Sequence, residues 1–186
     1  MPFLNLRIFE NSGKLFVVLM LGGIGLAACD QIHVQYEVLK YFHNGLWGQA
    51  WWVAPQFFLA TFLMYLGVFL IRKETGEFDG KKFVLSVLLF AVAYYASGLF
   101  ATRPYTLAAA YLLFWIFRIF FEKERERFVL FSVLLAISGT LAEGLISRAG
   151  LFIYMQPDFL LVPIWLPGLY LHGAPLIWNL ASWIRK

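Results

Sequence analysis

The sequence predicts an all-α integral membrane protein: a bundle of six transmembrane helices with both termini cytoplasmic and a proline-broken last helix. Three observations carry this. Six apolar stretches divide the 186 residues into seven polar segments. The 15 Lys and Arg residues fall 2, 1, 4, 1, 4, 1 and 2 among those segments. They are Arg7 and Lys14, then Lys40, then Arg72, Lys73, Lys81 and Lys82, then Arg103, then Arg118, Lys123, Arg125 and Arg127, then Arg148, and finally Arg185 and Lys186. Short loops rich in Lys and Arg are retained on the cytoplasmic side, so the rich segments face in and the poor ones face out. Composition agrees, with 61% hydrophobic and only 14% charged residues, against about 25% charged in a soluble domain.

Other classes fall away on the same grounds. The net charge of +4 resides in the loops, and no basic cluster with interleaved aromatics points to nucleic acid. A single cysteine, Cys29, excludes an internal disulfide framework and a multi-cysteine zinc site.

The spans are read at 15–32, 47–71, 83–101, 104–121, 128–149 and 159–184, in one membrane domain covering residues 1–186. About 20 residues at 1.5 Å each cross roughly 30 Å of hydrocarbon. The apolar run of the first span, residues 15–29, is short for this, so the span extends past Asp30, whose carboxyl turns toward the bundle. Leu26-Ala27-Ala28-Cys29 after Arg7 and Lys14 also resembles a lipoprotein signal. Cleavage there would start the charge alternation on the wrong side, whereas retention as a first helix preserves it. Gly22, Gly23, Gly25, Ala27 and Ala28 crowd this span, Ala93, Ser97 and Ala101 the third, and Ala136, Thr140 and Gly144 the fifth. Such small residues let helix backbones approach closely in lipid, or line a cavity for a bulky apolar ligand.

Polar residues at membrane depth are the candidate site. Glu143 lies well inside the fifth span, where an ionisable group costs several kcal/mol unless paired or neutral. Its role is either structural, protonated or paired between helices, or functional, in a hydrogen bond to a ligand head group or a proton-coupled step. Asp30, His33 and Glu37 recur at i, i+3 and i+7, one face if helical, which reads as an interfacial polar patch rather than a metal site. His43 and His172 stand alone and read as interfacial hydrogen-bonding residues. In the last span Pro163, Pro167 and Pro175 each remove a backbone bond, and Pro167 and Pro175 free the carbonyls of Pro163 and Leu171. Broken helix in a bilayer is tolerated only against protein or a polar cavity. Asp158 stands just before it, placed to cap its first amides or to lie in an outer turn after Pro157. Trp165, Trp178 and Trp183, with Trp47, Trp51 and Trp52, fit interfacial anchors.

Three motifs carry a family resemblance. Ala50-Trp51-Trp52-Val53-Ala54-Pro55 resembles the AWWVPP start of the second helix in the Insig (insulin-induced gene) family. Gln156-Pro157-Asp158-Phe159-Leu160, then Trp165-Leu166-Pro167 and later Asn179, resembles that family's SPDFLYVRSWLP…GN tract. Gln31-Ile32-His33 is similar to its QIQ. Order and spacing match from about Gly13 onward, with the third and fourth spans alike only in character. Gln156 replaces the family's serine, Pro163 its arginine, and Pro175 breaks a glycine-rich stretch.

The resemblance implies a regulatory protein. Animal Insigs reside in the endoplasmic reticulum, bind oxysterols and hold sterol-sensing partners, the SREBP escort protein and HMG-CoA reductase. This chain reads as a lean prokaryotic relative of the cytoplasmic membrane, or of the endoplasmic reticulum if eukaryotic, that shares the lipid pocket more than the partners. The expected function is binding of a sterol- or diglyceride-type lipid in an intramembrane cavity, with a regulatory or partner-scaffolding role. The expected lipid-binding residues are Gly25, Gln31, Tyr94, Ser97, Tyr111, Thr140 and Glu143, with Tyr95 nearby. Asp158 falls on an aspartate that the family ties to partner binding, so it is read as a partner contact or a helix cap. The expected partners are a bilayer lipid, another membrane protein and a second copy of the chain, with no cofactor or metal. A transporter is the alternative, but only one span is broken where paired broken helices are expected. An enzyme using Glu143, Asp158 and His172 ranks lower, because no nucleophile or two-carboxylate motif supports it.

Overall fold

A computed structural model describes residues 11–43, 45–72 and 76–186. Arg7, Lys73 and Glu74, invoked in the charge pattern and the second polar loop, lie outside the described residues. The elements in order are α1 (Ser12–Gln35), β1 (Leu39–Tyr41), a 3₁₀ turn (Leu46–Gly48), α2 (Val53–Ile71), α3 (Gly80–Leu99), α4 (Pro104–Ile119), α5 (Arg125–Arg148), β2 (Phe152–Tyr154) and α6 (Leu166–Ile184). Four of these helices, α1, α2, α3 and α5, are long and apolar enough to cross a membrane. The protein is therefore read as an integral membrane protein. α4, with 16 residues, is apolar but shorter.

α6 is the post of the bundle. Helices α2, α3, α4 and α5 all pack against it, and most of its residues are buried. α1 packs chiefly on α2, and the sequence explains how closely. A Cβ placed on Gly22 would stand 2.6 Å from the Thr61 side chain, and one on Gly23 would stand 3.2 Å from the Phe58 amide nitrogen. Only glycine allows that approach, as expected of small-residue stripes in lipid.

A two-stranded antiparallel ribbon closes one end of the bundle, pairing Leu39 with Tyr154, Lys40 with Ile153 and Tyr41 with Phe152. In both strands the outer two residues are buried and the middle one is not. Alternation of side chains along a strand thus turns Tyr41 and Tyr154 into the interior. Strands of three residues carry too little periodicity to be read from sequence.

The opposite end is tied by charge. Arg72, 8% exposed, donates from Nε to Glu124 Oε1 at 2.6 Å and from Nη1 to Ser182 Oγ at 2.6 Å and to the Trp178 carbonyl at 3.1 Å. Its guanidinium also lies 5.0 Å from the Trp178 ring centroid. Lys82 donates to Glu122 at 2.7 Å, and the Asn179 amide donates to the Asp79 carbonyl at 2.8 Å.

Several expectations are corrected. The last helix starts at Leu166, not near 159, because Asp158–Val162 forms a tight turn in which the Asp158 and Phe159 amides both donate to the Val162 carbonyl. Pro163 precedes α6, and its carbonyl accepts from the Leu166 amide, so Pro167 frees nothing there. Pro167 sits in the first turn, where its missing N–H costs no bond, and only Pro175 lies inside a helix that continues to Ile184. Likewise α2 begins at Val53 because Leu46–Gly48 forms its own turn. Trp165 and Trp178 are 1% and 5% exposed: they are core, while Trp47 and Trp51 are exposed. Glu37 follows the end of α1 with φ 54°, so Asp30, His33 and Glu37 do not share one helical face. Among the described residues no three or more His, Cys, Asp or Glu side chains gather as a metal-ligand group.

Candidate functional site

Beneath the ribbon, polar side chains from α1, α3, α5, α6 and the ribbon itself meet in the interior. Two carboxyls organise them. Asp30 on α1 is 6% exposed, and its Oδ2 accepts from the Tyr41 hydroxyl at 2.7 Å and from Gln49 Nε2 at 2.9 Å. Gln49 also donates to the Ala27 carbonyl at 2.9 Å, which straps the loop before α2 onto α1. Glu143 on α5 accepts from two phenols, one oxygen from Tyr154 and the other from Tyr170. Buried carboxyls are costly unless hydrogen-bonded, and hydroxyl donors held by strand and helix meet that need. Burial, with the neighbouring carboxyl adding to it, raises the pKa of the Tyr41 phenol above its ordinary value, so it remains a donor. Tyr154 is raised by burial first and Glu143 second.

A buried histidine–serine pair joins α1 to α3. His33 Nε2 is 2.7 Å from Ser97 Oγ, and Ser97 Oγ donates to the Tyr94 carbonyl at 2.8 Å. A hydroxyl has one proton, so His33 donates through Nε2. Its ring lies 4.9 Å from Tyr94 and 5.5 Å from Trp165, centroid to centroid.

The structure brings together most of the expected residues but assigns several of them other work. Tyr94, Ser97, Tyr111 and Thr140 are buried. Tyr111 donates its hydroxyl to the Ala93 carbonyl. Thr140 Oγ1 is enclosed and has no protein partner. Gln31 is at the edge, donating to the Trp47 carbonyl at 3.0 Å. Gly25 is exposed, with open space where its Cβ would be, and Tyr95 is 52% exposed; both face away from the interior. His172 is not interfacial. It is 7% exposed, with Nε2 donating to the Tyr111 carbonyl at 3.1 Å. Tyr41, Gln49, Tyr154 and Tyr170 were not foreseen. Nothing in the three-residue strands, Leu39-Lys40-Tyr41 and Phe152-Ile153-Tyr154, marked the two tyrosines as inward-facing.

Asp158 lies apart, exposed at the ribbon end, with Oδ2 accepting from the Ile164 amide at 2.9 Å. It therefore clamps the turn ahead of α6 rather than capping α6 itself, whose own N-cap position, Trp165, makes no side-chain bond. Asn can accept the same amide proton, so Asp158→Asn should leave the melting temperature in detergent nearly unchanged. Asp158→Ala should cost about 0.5–1.5 kcal/mol, the net contribution of one hydrogen bond. Equal losses in both variants would point to a role for the charge.

No family model matches the chain, and no curated protein matches it in sequence. Solved structures do match. A crystal structure of MvINS, a mycobacterial Insig homolog from Mycobacterium vanbaalenii, superposes with TM-score 0.75 and 17% identity over 91% of this chain and 93% of that one. A crystal structure of a cross-linked MvINS trimer gives TM-score 0.76 and 17% identity over 92% and 94%. The fold is Insig-like. At 17% identity the likeness is one of fold, and it extends over nearly all of both chains. Within this Insig-like fold, the carboxyl-centred interior lies under the ribbon, and the turn clamped by Asp158 leads into α6.

Proposed function

We propose that this protein binds a membrane lipid of sterol or diglyceride type within its interior and uses the occupied state to regulate or hold a membrane partner. The observation that carries the reading is the polar centre under the ribbon. Glu143 is held by Tyr154 and Tyr170, and one turn away on the same helix Thr140 Oγ1 has no protein partner. Polar groups at this depth in a membrane protein are expensive and mark functional positions by default. The Insig-like fold supports the same direction, and the cross-linked trimer of MvINS supports self-association here. Asp158 and the exposed Leu160 and Leu161 beside it supply the surface for a partner. Glu143, Asp158 and His172 each hold separate hydrogen-bond partners, so the enzyme reading gains no assembled constellation.

The test is lipid recovery. Glu143→Leu leaves the Tyr154 and Tyr170 hydroxyls without an acceptor, and native mass spectrometry of gently purified protein should find less bound lipid than in wild type. Glu143→Gln, which retains an acceptor, should lose less. Full recovery of lipid in Glu143→Leu would remove the polar centre from the account.

We further propose that all six helices cross the membrane, with the ribbon end outside and the Arg72–Glu124 end in the cytoplasm, as the alternation of Lys and Arg among the polar segments supports. Cysteines introduced at residues 76–80 or just after Glu122 should then react with impermeant thiol reagents only from the cytoplasmic side. Labelling from outside intact cells would reverse or break this topology.

A further inference from the structure

The turn between α4 and α5 reads Glu122-Lys123-Glu124-Arg125-Glu126-Arg127, charges alternating in sign. The fold sorts them. Glu122 is 5% exposed and accepts from Lys82 of α3 at 2.7 Å. Glu124 accepts from the buried Arg72 at 2.6 Å, and its other oxygen lies 3.5 Å from Arg127. Two carboxylates are thus engaged by cations of other segments, Lys82 and Arg72. Lys123 and Arg125 stay exposed, and among the described residues neither has an ion-pair partner. Glu126 is exposed as well, but it sits in the first turn of α5, where the helix N-terminus offsets its charge. A stretch of formally balanced charge therefore presents a cationic outer face.

We propose that this turn seats the phosphate headgroup of an anionic phospholipid of the surrounding bilayer, whose chains lie along exposed phenylalanines of α4. The site is on the outside of the bundle, at the end opposite the ribbon, and is independent of what the interior binds. Residues 120–127 line an open bowl of about 670 Å³. Arg125 is fixed in its wall: Nη2 donates to the Phe120 carbonyl at 2.8 Å and Nε to the Glu122 carbonyl at 3.3 Å. Those bonds use two of the five N–H groups of a guanidinium and leave three for a ligand. Beside the bowl, Phe114, Phe117, Phe120 and Phe121 are 65%, 62%, 63% and 65% exposed, and Phe117 and Phe121 meet edge to face at 5.1 Å. Depth agrees with this. α4 has 16 residues and so is about 24 Å long, against about 30 Å of hydrocarbon. Such a mismatch draws headgroups toward the end of the shorter helix, here the end that carries Lys123 and Arg125. A zwitterionic lipid brings its own cation, so unpaired Lys and Arg favour a lipid with net negative charge. A free phosphate would make no use of the phenylalanines.

The experiment uses the full chain in detergent, offered equal amounts of palmitoyl-oleoyl phosphatidylglycerol and phosphatidylcholine, with retained lipid counted by native mass spectrometry. Wild type should hold the anionic lipid about tenfold or more over the zwitterionic one, since each cation near an anionic headgroup contributes about fivefold. Lys123→Gln should lower that ratio about fivefold, and adding Arg125→Gln should bring it close to one. Arg125 also bonds two carbonyls, so Lys123→Gln alone decides if the double variant melts early. Lys186→Gln removes the same charge from the C-terminus, outside the bowl, and should leave the ratio near wild type. A wild-type ratio near one overturns the proposal, as does a ratio that Lys123→Gln leaves unchanged. Equal losses in Lys123→Gln and Lys186→Gln overturn it too, because diffuse charge would then suffice.

Discussion

Arg72→Ala should be among the most destabilising single substitutions at the end opposite the ribbon. Arg72 is the knot there. Its guanidinium joins Glu124, which precedes α5, to the Trp178 carbonyl and the Ser182 hydroxyl of α6, and it lies over the Trp178 ring. Removing one partner of a buried pair costs about 3–5 kcal/mol. The Glu124 side chain is 25% exposed, so water recovers part of its solvation and the lower figure, about 3 kcal/mol, is expected. For a chain of this size that corresponds to roughly 6–12 °C in melting temperature. Arg72→Lys keeps the charge but not the fork that reaches three acceptors, and it should fall between. A melting temperature within a degree of wild type for Arg72→Ala would mean that the knot is ornamental.

Gly139→Leu should have an effect of the same order by a different route. A Cβ at this position would stand 2.4 Å from the Tyr170 ring. That ring cannot simply swing away, because its hydroxyl is bonded to Glu143. The substitution therefore adds overpacking, about 1–3 kcal/mol, to the loss of a hydrogen bond to a carboxyl, about 1.5–3 kcal/mol. Gly25→Leu is the matched control, since a side chain there meets open space, and thermal melts of the two variants should differ widely. Similar melts would mean that α5 and α6 do not meet as described.

That pair of glycines also marks what could be read from sequence. The stripes at Gly22, Gly23, Ala136, Thr140 and Gly144 were legible as close-packing positions, and Glu143 as a buried polar group. The family tracts around Trp51 and Asp158 pointed to the fold the solved structures match. Which way Gly25 faces was not legible. A helix surrounded by lipid is apolar on every side, so the contrast between inner and outer faces that orients a soluble helix is weak. The same loss of contrast made Trp165 and Trp178 read as interfacial anchors when they are core. The partners of the carboxyls were hidden for another reason. Tyr41 stands 11 residues from Asp30, and Tyr170 stands 27 from Glu143, brought together by a ribbon and by a helix beginning later than its prolines suggested.

The position of α6 bears on how the molecule is made. The helix against which four others pack is synthesised after all of them. Until Leu166 leaves the ribosome, α2 to α5 lack the helix they pack against, Glu143 lacks the Tyr170 hydroxyl and Arg72 lacks Ser182. α6 itself carries His172, Asn179 and Ser182 and is not among the helices apolar enough to cross unaided. Its arrival is thus favoured by docking as well as by partitioning. Assembly becomes a closing step in which the waiting helices supply the solvent for the one that completes them, and a chain stalled before that step leaves Arg72 with Glu124 alone and Glu143 with Tyr154 alone.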